Sequence, residues 1–262
     1  MELRDKVVVI TGSGGGIGEA CALRFSAEGA KVVVTDRDAA GVERVSQSIG
    51  TVGLAVDIST EANVKAVAQL ARDTYGEVDI WFSNAGFSGP RQPGDLQEDG
   101  MWDSLWRLHV MAHVYAARAV LPSMLARGDG YLIQTASVVA LSAQADKAAY
   151  SVTKHAALAL AEWLAVSYRA GGIKVSCFCP GPMLTPMLLS NDFPPDHPVL
   201  KMAVTPERVA DLLVSAIGDE RFLIVDSDMG EGSLKAKAAD YDLWIAGMVG
   251  SQGFSVPGTP DP

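Results

Sequence analysis

Val7-Val8-Val9-Ile10-Thr11-Gly12-Ser13-Gly14-Gly15-Gly16-Ile17-Gly18 is the stretch that decides the fold. The β-branched run Val7 to Ile10 reads as a strand buried on both faces, and the apolar helical spacing that resumes at Ile17 reads as a helix. Between them lies a turn built almost wholly of glycine. Its spacing is not GxGxxG; Gly12, Gly16 and Gly18 form a GxxxGxG pattern with the same physical use. Glycine permits a tight turn and lets backbone approach a pyrophosphate held on the N–H groups of a helix N-terminus.

Outward from this turn the chain alternates. Lys6–Ile10, Lys31–Thr35, Thr51–Val56, Asp79–Ser83, Gly130–Thr135, Ile173–Phe178 and Arg221–Val225 read as strands. Segments such as Ile17–Gly29, Asn63–Tyr75, Met101–Arg127 and Lys147–Ala170 carry apolar residues at helical spacing. Strict alternation implies βαβ crossovers, hence an α/β fold: a single Rossmann-type doubly wound parallel sheet of about seven strands, with helices on both faces. Thr205-Pro206-Glu207 reads as a helix start, and Gly218 as the end of that helix. There is no repeat and no linker, so residues 1–262 are expected to form one catalytic domain. Two stretches break the alternation. Residues 182–204 carry five prolines and read as a lid; the tail of residues 250–262 is rich in Gly, Pro and Ser and reads as flexible or as a strap on a neighbouring subunit.

Lys and Arg number 21 and Asp and Glu 31, a net charge of −10 that repels polyphosphate backbones and anionic lipid. Nucleic acid and membrane are therefore not expected partners. Val7–Ile10 is too short for a signal or spanning segment, and no later run reaches the roughly 18 apolar residues that a span needs. A soluble, intracellular, cytoplasmic protein is expected. Three cysteines cannot all pair within one chain, so Cys21, Cys177 and Cys179 read as reduced core thiols. His109 and His113 are spaced i, i+4 but have no carboxylate or thiol near them in sequence, and no metal site is expected.

The second strand runs into Asp36, 18 residues beyond Gly18, where a carboxylate can accept both hydroxyls of an adenosine ribose. That favours NAD over NADP, whose phosphate would face the carboxylate. Arg37 is the counter-argument, as a base that could host a phosphate.

By this point the chain resembles the short-chain dehydrogenase/reductase family, from about Lys6 to Val225. The glycine turn, Ile17 included, looks like the family's TGxxxGIG, and Asn84-Ala85-Gly86 looks like its NAG. Tyr150 to Lys154 looks like its YxxxK, with Ser137 13 residues upstream. Pro180-Gly181, continued by Met183 and Thr185, resembles the segment that receives the nicotinamide. The resemblance also implies adenine contacts at Asp57 and Ile58. It implies a dehydrogenase or reductase in which Tyr150 exchanges a proton with an alcohol or ketone, Ser137 fixes the oxygen, and Lys154 tunes the phenol and holds the ribose. Tyr150 and Lys154, at i and i+4, share one helix face. A cation near the phenol favours phenolate, which a base with a free pKa near 10 requires at neutral pH.

One departure stands out. Where many family members place an asparagine that holds a proton-relay water, this chain reads Leu108-His109-Val110. Either His109 binds that water through its ring nitrogens, or the relay is absent and His109 is a satisfied helix residue. The lid offers Met183, Leu184, Met187, Leu188, Leu189, Phe193, Leu200 and Met202, with Lys201 its one fixed positive charge, which suits a small apolar alcohol or ketone; Gln144 and His197 are candidate polar contacts. The alternatives are a 3-oxoacyl thioester reductase and a non-catalytic nucleotide-binding protein of the same fold. A homotetramer of D2 symmetry is expected, partly from the resemblance, because Trp106, Val110, Trp163 and Val166 give the two long helices more apolar surface than one sheet face can cover.

Overall fold

Apolar residues on both faces of seven short strands leave them one stable arrangement, a parallel sheet clothed by helices. The computed structural model describes residues 1–252 apart from Pro93, Asp192 and Ser227. It runs β1 (Val7–Thr11), α1 (Gly16–Ala27), β2 (Lys31–Asp36), α2 (Ala39–Ile49), β3 (Val52–Ala55), α3 (Glu61–Tyr75), β4 (Ile80–Ser83), α4 (Asp99–Trp106), α5 (Ala112–Arg127), β5 (Gly130–Thr135) and α6 (Ala148–Tyr168). The rest is β6 (Ile173–Cys179), α7 (Pro186–Leu189), α8 (Pro198–Met202), α9 (Pro206–Asp219), β7 (Leu223–Val225), α10 (Asp228–Ala239) and α11 (Tyr241–Gln252). The strand order is β3-β2-β1-β4-β5-β6-β7, every pairing parallel.

The pleat sends alternate residues to opposite layers. Val7, Val9, Trp81 and Leu132 pack into the layer that contains α3, α5 and α6; Val8, Ile10, Phe82 and Phe178 pack into the layer of α1, α2 and α9. All of these side chains are buried, so each face closes a core of its own.

Most boundaries fall within two residues of the sequence reading, and the exceptions have local causes. α9 starts as expected, with the Thr205 hydroxyl accepting from Arg208 N–H and proline at the first helical position. It does not end at Gly218. Glu220 takes the left-handed conformation at φ 54°, and Arg221 N–H turns back to Ala216 O, so the last strand begins at Leu223 rather than Arg221. The helix expected over 101–127 is continuous from Asp99 but contains one π-helical turn, Arg107–Met111. That turn buries both His109 and Val110, so Val110 belongs to the core and not to an outer face, while Trp163 and Val166 stand out at 57 % and 86 % exposure. The chain after β7 folds into α10 and α11, and Gly250, Ser251 and Gln252 finish α11; the remainder of the expected tail lies outside the described residues. All three cysteines are buried and free, with Cys177 Sγ 3.9 Å from Cys179 Sγ. No helix among the described residues is long and apolar enough to cross a membrane.

Candidate active site

The strand order reverses direction between β1 and β4, and at that switch point their carboxyl ends open into a crevice. A cavity of about 1200 Å³ fills it. Its floor is the glycine turn. Gly12 has φ +67°, and a Cβ there would stand 2.8 Å from Ala85 Cα, so the turn and the segment after β4 meet backbone to backbone. Thr11 Oγ1 accepts from the N–H groups of Asn84 and Ala85, at 2.9 and 3.0 Å, and the Asn84 amide donates to Thr11 O, which holds the two strand ends in register. Gly18 does not line the cavity. A Cβ on it would lie 2.1 Å from Gly12 O, so its work is to let α1 seat directly under the turn.

At the far side Asp36 ends β2. Its carboxylate accepts from Gly14 N–H through Oδ2 and from Asp38 N–H through Oδ1, both at 3.1 Å, so the carboxylate is fixed against the turn. Asp57 and Ile58 close that end of the cavity; Arg37 lines it too and is exposed. A side-chain-free turn, the uncapped N–H groups at the start of α1, and a fixed carboxylate one strand away suit a dinucleotide. Gly12, Gly16, Ile17, Asp36, Asp57, Ile58, Asn84, Ala85, Gly86, Pro180, Gly181, Met183 and Thr185 all line this one crevice.

Across the cavity stand Ser137, Tyr150 and Lys154. Ser137 follows β5 and caps a short 3₁₀ turn by accepting from Val139 N–H. Lys154 is buried, donates to Thr135 O at 3.1 Å and lies 5.7 Å from the Tyr150 ring centre. Burial lowers its pKa to about 8. Burial pushes the Tyr150 phenol up, and the hydrogen bond with Ser137 only partly opposes that.

His109 does not reach the cavity. Its Nε2 accepts from Phe87 N–H at 3.3 Å, so Nδ1 carries the proton and donates to Thr153 Oγ1 at 3.0 Å, which in turn donates to Ala149 O at 2.8 Å. Burial and the nearby Lys154 charge push its pKa well down, which keeps it neutral. Both nitrogens are used inside the protein. A relay water on His109, and metal chelation with His113, are thereby displaced by a strut joining the segment after β4 to α6.

The ends of the segment expected as a lid, residues 182–204, are joined where Leu184 N–H donates to Val204 O and Val204 N–H to Pro182 O. Met183, Met187, Leu188, Phe193, His197 and Met202 line the cavity; Leu184, Leu189, Leu200 and Lys201 do not. Gln144 does. Sequence reading missed Ser88, Arg91, Asp146 and Lys147, and also Met248 and Gln252 of α11. Gln252 bonds to Ala143 O and Ala145 N–H, a contact between segments 107 to 109 residues apart that no spacing could announce.

The family model for short chain dehydrogenases matches residues 6–192. Among curated proteins, 1-deoxy-11-beta-hydroxypentalenate dehydrogenase of Streptomyces exfoliatus is 33 % identical over 258 residues, covering 93 % of this chain and 90 % of its own. Among solved structures, 3-ketoacyl-(acyl-carrier-protein) reductase of Brucella melitensis, complexed with NADH, superposes with a TM-score of 0.78 at 30 % identity, covering 85 % of this chain and 96 % of the other. L-Sorbose reductase of Gluconobacter frateurii, complexed with NADPH and L-sorbose, gives 0.76 at 32 % identity, over 86 % and 95 %. The chain belongs to the short-chain dehydrogenase/reductase family, oxidoreductases that move a hydride between a nicotinamide dinucleotide and an alcohol or ketone.

Proposed function

We propose that this oxidoreductase works between NAD(H) and an apolar secondary alcohol or ketone, with Ser137, Tyr150 and Lys154 as its catalytic residues. The observation that carries the reading is their convergence on one wall of a crevice whose opposite wall is a glycine turn closed by Asp36. When bound, the dinucleotide supplies or accepts the hydride. The rest of the chemistry belongs to the chain. Ser137 Oγ donates to the substrate oxygen and holds it at Tyr150. Tyr150 Oη gives that oxygen a proton during reduction and takes it back during oxidation. Lys154, anchored on Thr135 O, keeps a positive charge beside the phenol and binds the ribose. Because burial holds the phenol up, its resting form is the acid, the form that ketone reduction needs.

NAD over NADP rests on the Asp36 carboxylate, whose position against Gly14 leaves a 2′-phosphate facing negative charge. Substrate apolarity rests on the lid, where methionine, leucine and phenylalanine side chains line the cavity. A homotetramer in the cytoplasm is supported by the exposed apolar surface of α6, at Trp163 and Val166, and by the acidic balance of the chain. Residues 1–262 act in this reading as one catalytic domain. A panel of cyclic and acyclic ketones with NADH and NADPH, followed by cofactor absorbance, tests it. Turnover of apolar ketones with NADH is expected; no turnover of any ketone with either cofactor would overturn it. A 3-oxoacyl thioester reductase is the second reading, favoured by the likeness to the Brucella enzyme, and 3-oxoacyl thioesters belong in the same panel.

A further inference from the structure

The substrate end of the crevice holds an unneutralised cation. Lys147, three residues before Tyr150, is 5 % exposed and lines the cavity. Its ammonium donates to Ser88 Oγ at 2.9 Å, and no carboxylate among the described residues lies within ion-pair distance of it. The neighbouring carboxylate, Asp146, is fully buried and is committed through Oδ2 to Arg91 Nε. Its other oxygen, Oδ1, has no partner among the described residues, so Lys147 has not turned back to it. Burial, with the Arg91 charge beside it, lowers the Lys147 pKa by more than the Asp146 charge raises it, so the ammonium is only partly compensated. Arg91 lies on the other side of the same corner. Its guanidinium stacks over the Phe193 ring at 5.2 Å, and Phe193 in turn stacks on His197 at 4.4 Å, which brings the lid onto the corner.

Two cations and one carboxylate leave this corner with a net charge of about +1, inside a chain whose total is −10. Lys147 has N–H groups to spare beyond the single bond to Ser88, and Arg91 has its two terminal nitrogens beyond the bond to Asp146. Ser88 and Gln144 stand beside these cations, and Met187, Leu188 and Phe193 line the same cavity. A group that fits is a monoanion with acceptor oxygens, carried on an apolar skeleton.

Resting on the oxidoreductase reading, we propose that the substrate is an apolar alcohol or ketone that bears a carboxylate, and that Lys147, with Arg91 beside it, binds that carboxylate. Lys147 is then a specificity-determining residue. It orients the substrate by its charged end, while Ser137 and Tyr150 hold the reacting oxygen.

The experiment compares 3- and 4-oxocyclohexanecarboxylate with their methyl esters, which differ in charge but little in shape. kcat/KM is measured with NADH, for the wild type and for Lys147→Met, Lys147→Arg and Arg91→Gln. An acid preference of about tenfold or more is expected in the wild type, the scale of one charge-assisted hydrogen bond. Lys147→Met should bring the acid-to-ester ratio close to one, Lys147→Arg should keep most of it, and Arg91→Gln should reduce it part-way. Equal rates on acid and ester in the wild type overturn the proposal while leaving the oxidoreductase reading intact, since the esters are still reduced. So does a Lys147→Met protein of wild-type melting temperature that keeps the full ratio. If Lys147→Met does not fold, the wild-type ratio and Arg91→Gln still decide. If neither acid nor ester turns over, calorimetry with cyclohexanecarboxylate decides: binding weakened in Lys147→Met or Arg91→Gln supports the corner, and no binding, or binding unchanged in both variants, overturns it. Inhibition by inorganic phosphate stronger than by cyclohexanecarboxylate would assign the corner to a phosphate ester and overturn the carboxylate.

Discussion

The two ends of the crevice are built by opposite means. At the cofactor end the groups that matter are mostly backbone: a turn of glycines, the start of α1, and one carboxylate held by N–H groups at 3.1 Å. At the end proposed for the substrate they are side chains contributed by three distant segments, with Arg91 and Asp146 paired across 55 residues and the Arg91 guanidinium stacked over Phe193. A backbone site tolerates little change of shape and much change of sequence nearby. A side-chain site tolerates the reverse.

The largest expected effect comes where the two ends meet. Tyr150→Phe keeps the ring but removes the only proton the phenol can move, and kcat is expected to fall by about 10²- to 10⁴-fold with dinucleotide binding, followed by fluorescence titration, nearly unchanged. A loss smaller than tenfold would take Tyr150 out of the mechanism. The pH profile carries a sign as well. The phenol is held above its ordinary value, so it is protonated across neutral pH; alcohol oxidation should rise with pH toward the alkaline limit of enzyme stability, while ketone reduction should not.

Next comes the backbone end. Gly18→Ala places a methyl 2.1 Å from Gly12 O, a clash that only movement of α1 or the turn can relieve. A loss of roughly 2 to 4 kcal/mol in unfolding free energy, with weaker dinucleotide binding, is expected by chemical denaturation. Unchanged stability would show that the turn is softer than its contacts imply. Asp36→Ala should cost less and act on choice rather than on fold: the NADH-over-NADPH ratio of kcat/KM should drop by about 10- to 100-fold, the loss of one or two charged hydrogen bonds. No change there would take Asp36 out of the choice, and a wild-type preference for NADPH would hand it to Arg37.

The smallest effect sharpens the comparison at its seam. His109→Ala leaves the Phe87 N–H without its partner, which should lower stability by about 1 to 3 kcal/mol and raise KM for the dinucleotide several-fold through loosening of residues 84–87. Because both ring nitrogens already bind protein groups, kcat at saturating cofactor should stay within a few-fold. A 10- to 100-fold loss of kcat with intact melting temperature would restore the relay role.

The parallel sheet, the glycine turn, Asp36 and the shared helix face of Tyr150 and Lys154 could all be read from the chain, because each is a local pattern. A strand, a tight turn and a helix start are adjacent in sequence, and an i, i+4 pair lies on one face in any helix. Four things needed the tertiary structure. Gly18 supports the turn from below rather than lining it, which depends on how closely α1 approaches Gly12. His109 is a strut, because one π-helical turn rotates it into the core against Phe87 and Thr153. Gln252 reaches the crevice from the far end of the chain. Lys147 is left as a buried cation beside a carboxylate already paired with Arg91, and charge balance of that kind is decided by which side chains meet in space. Hydrophobic period and turn chemistry determine the frame; the partners of buried polar groups are set by packing between segments that no spacing rule connects.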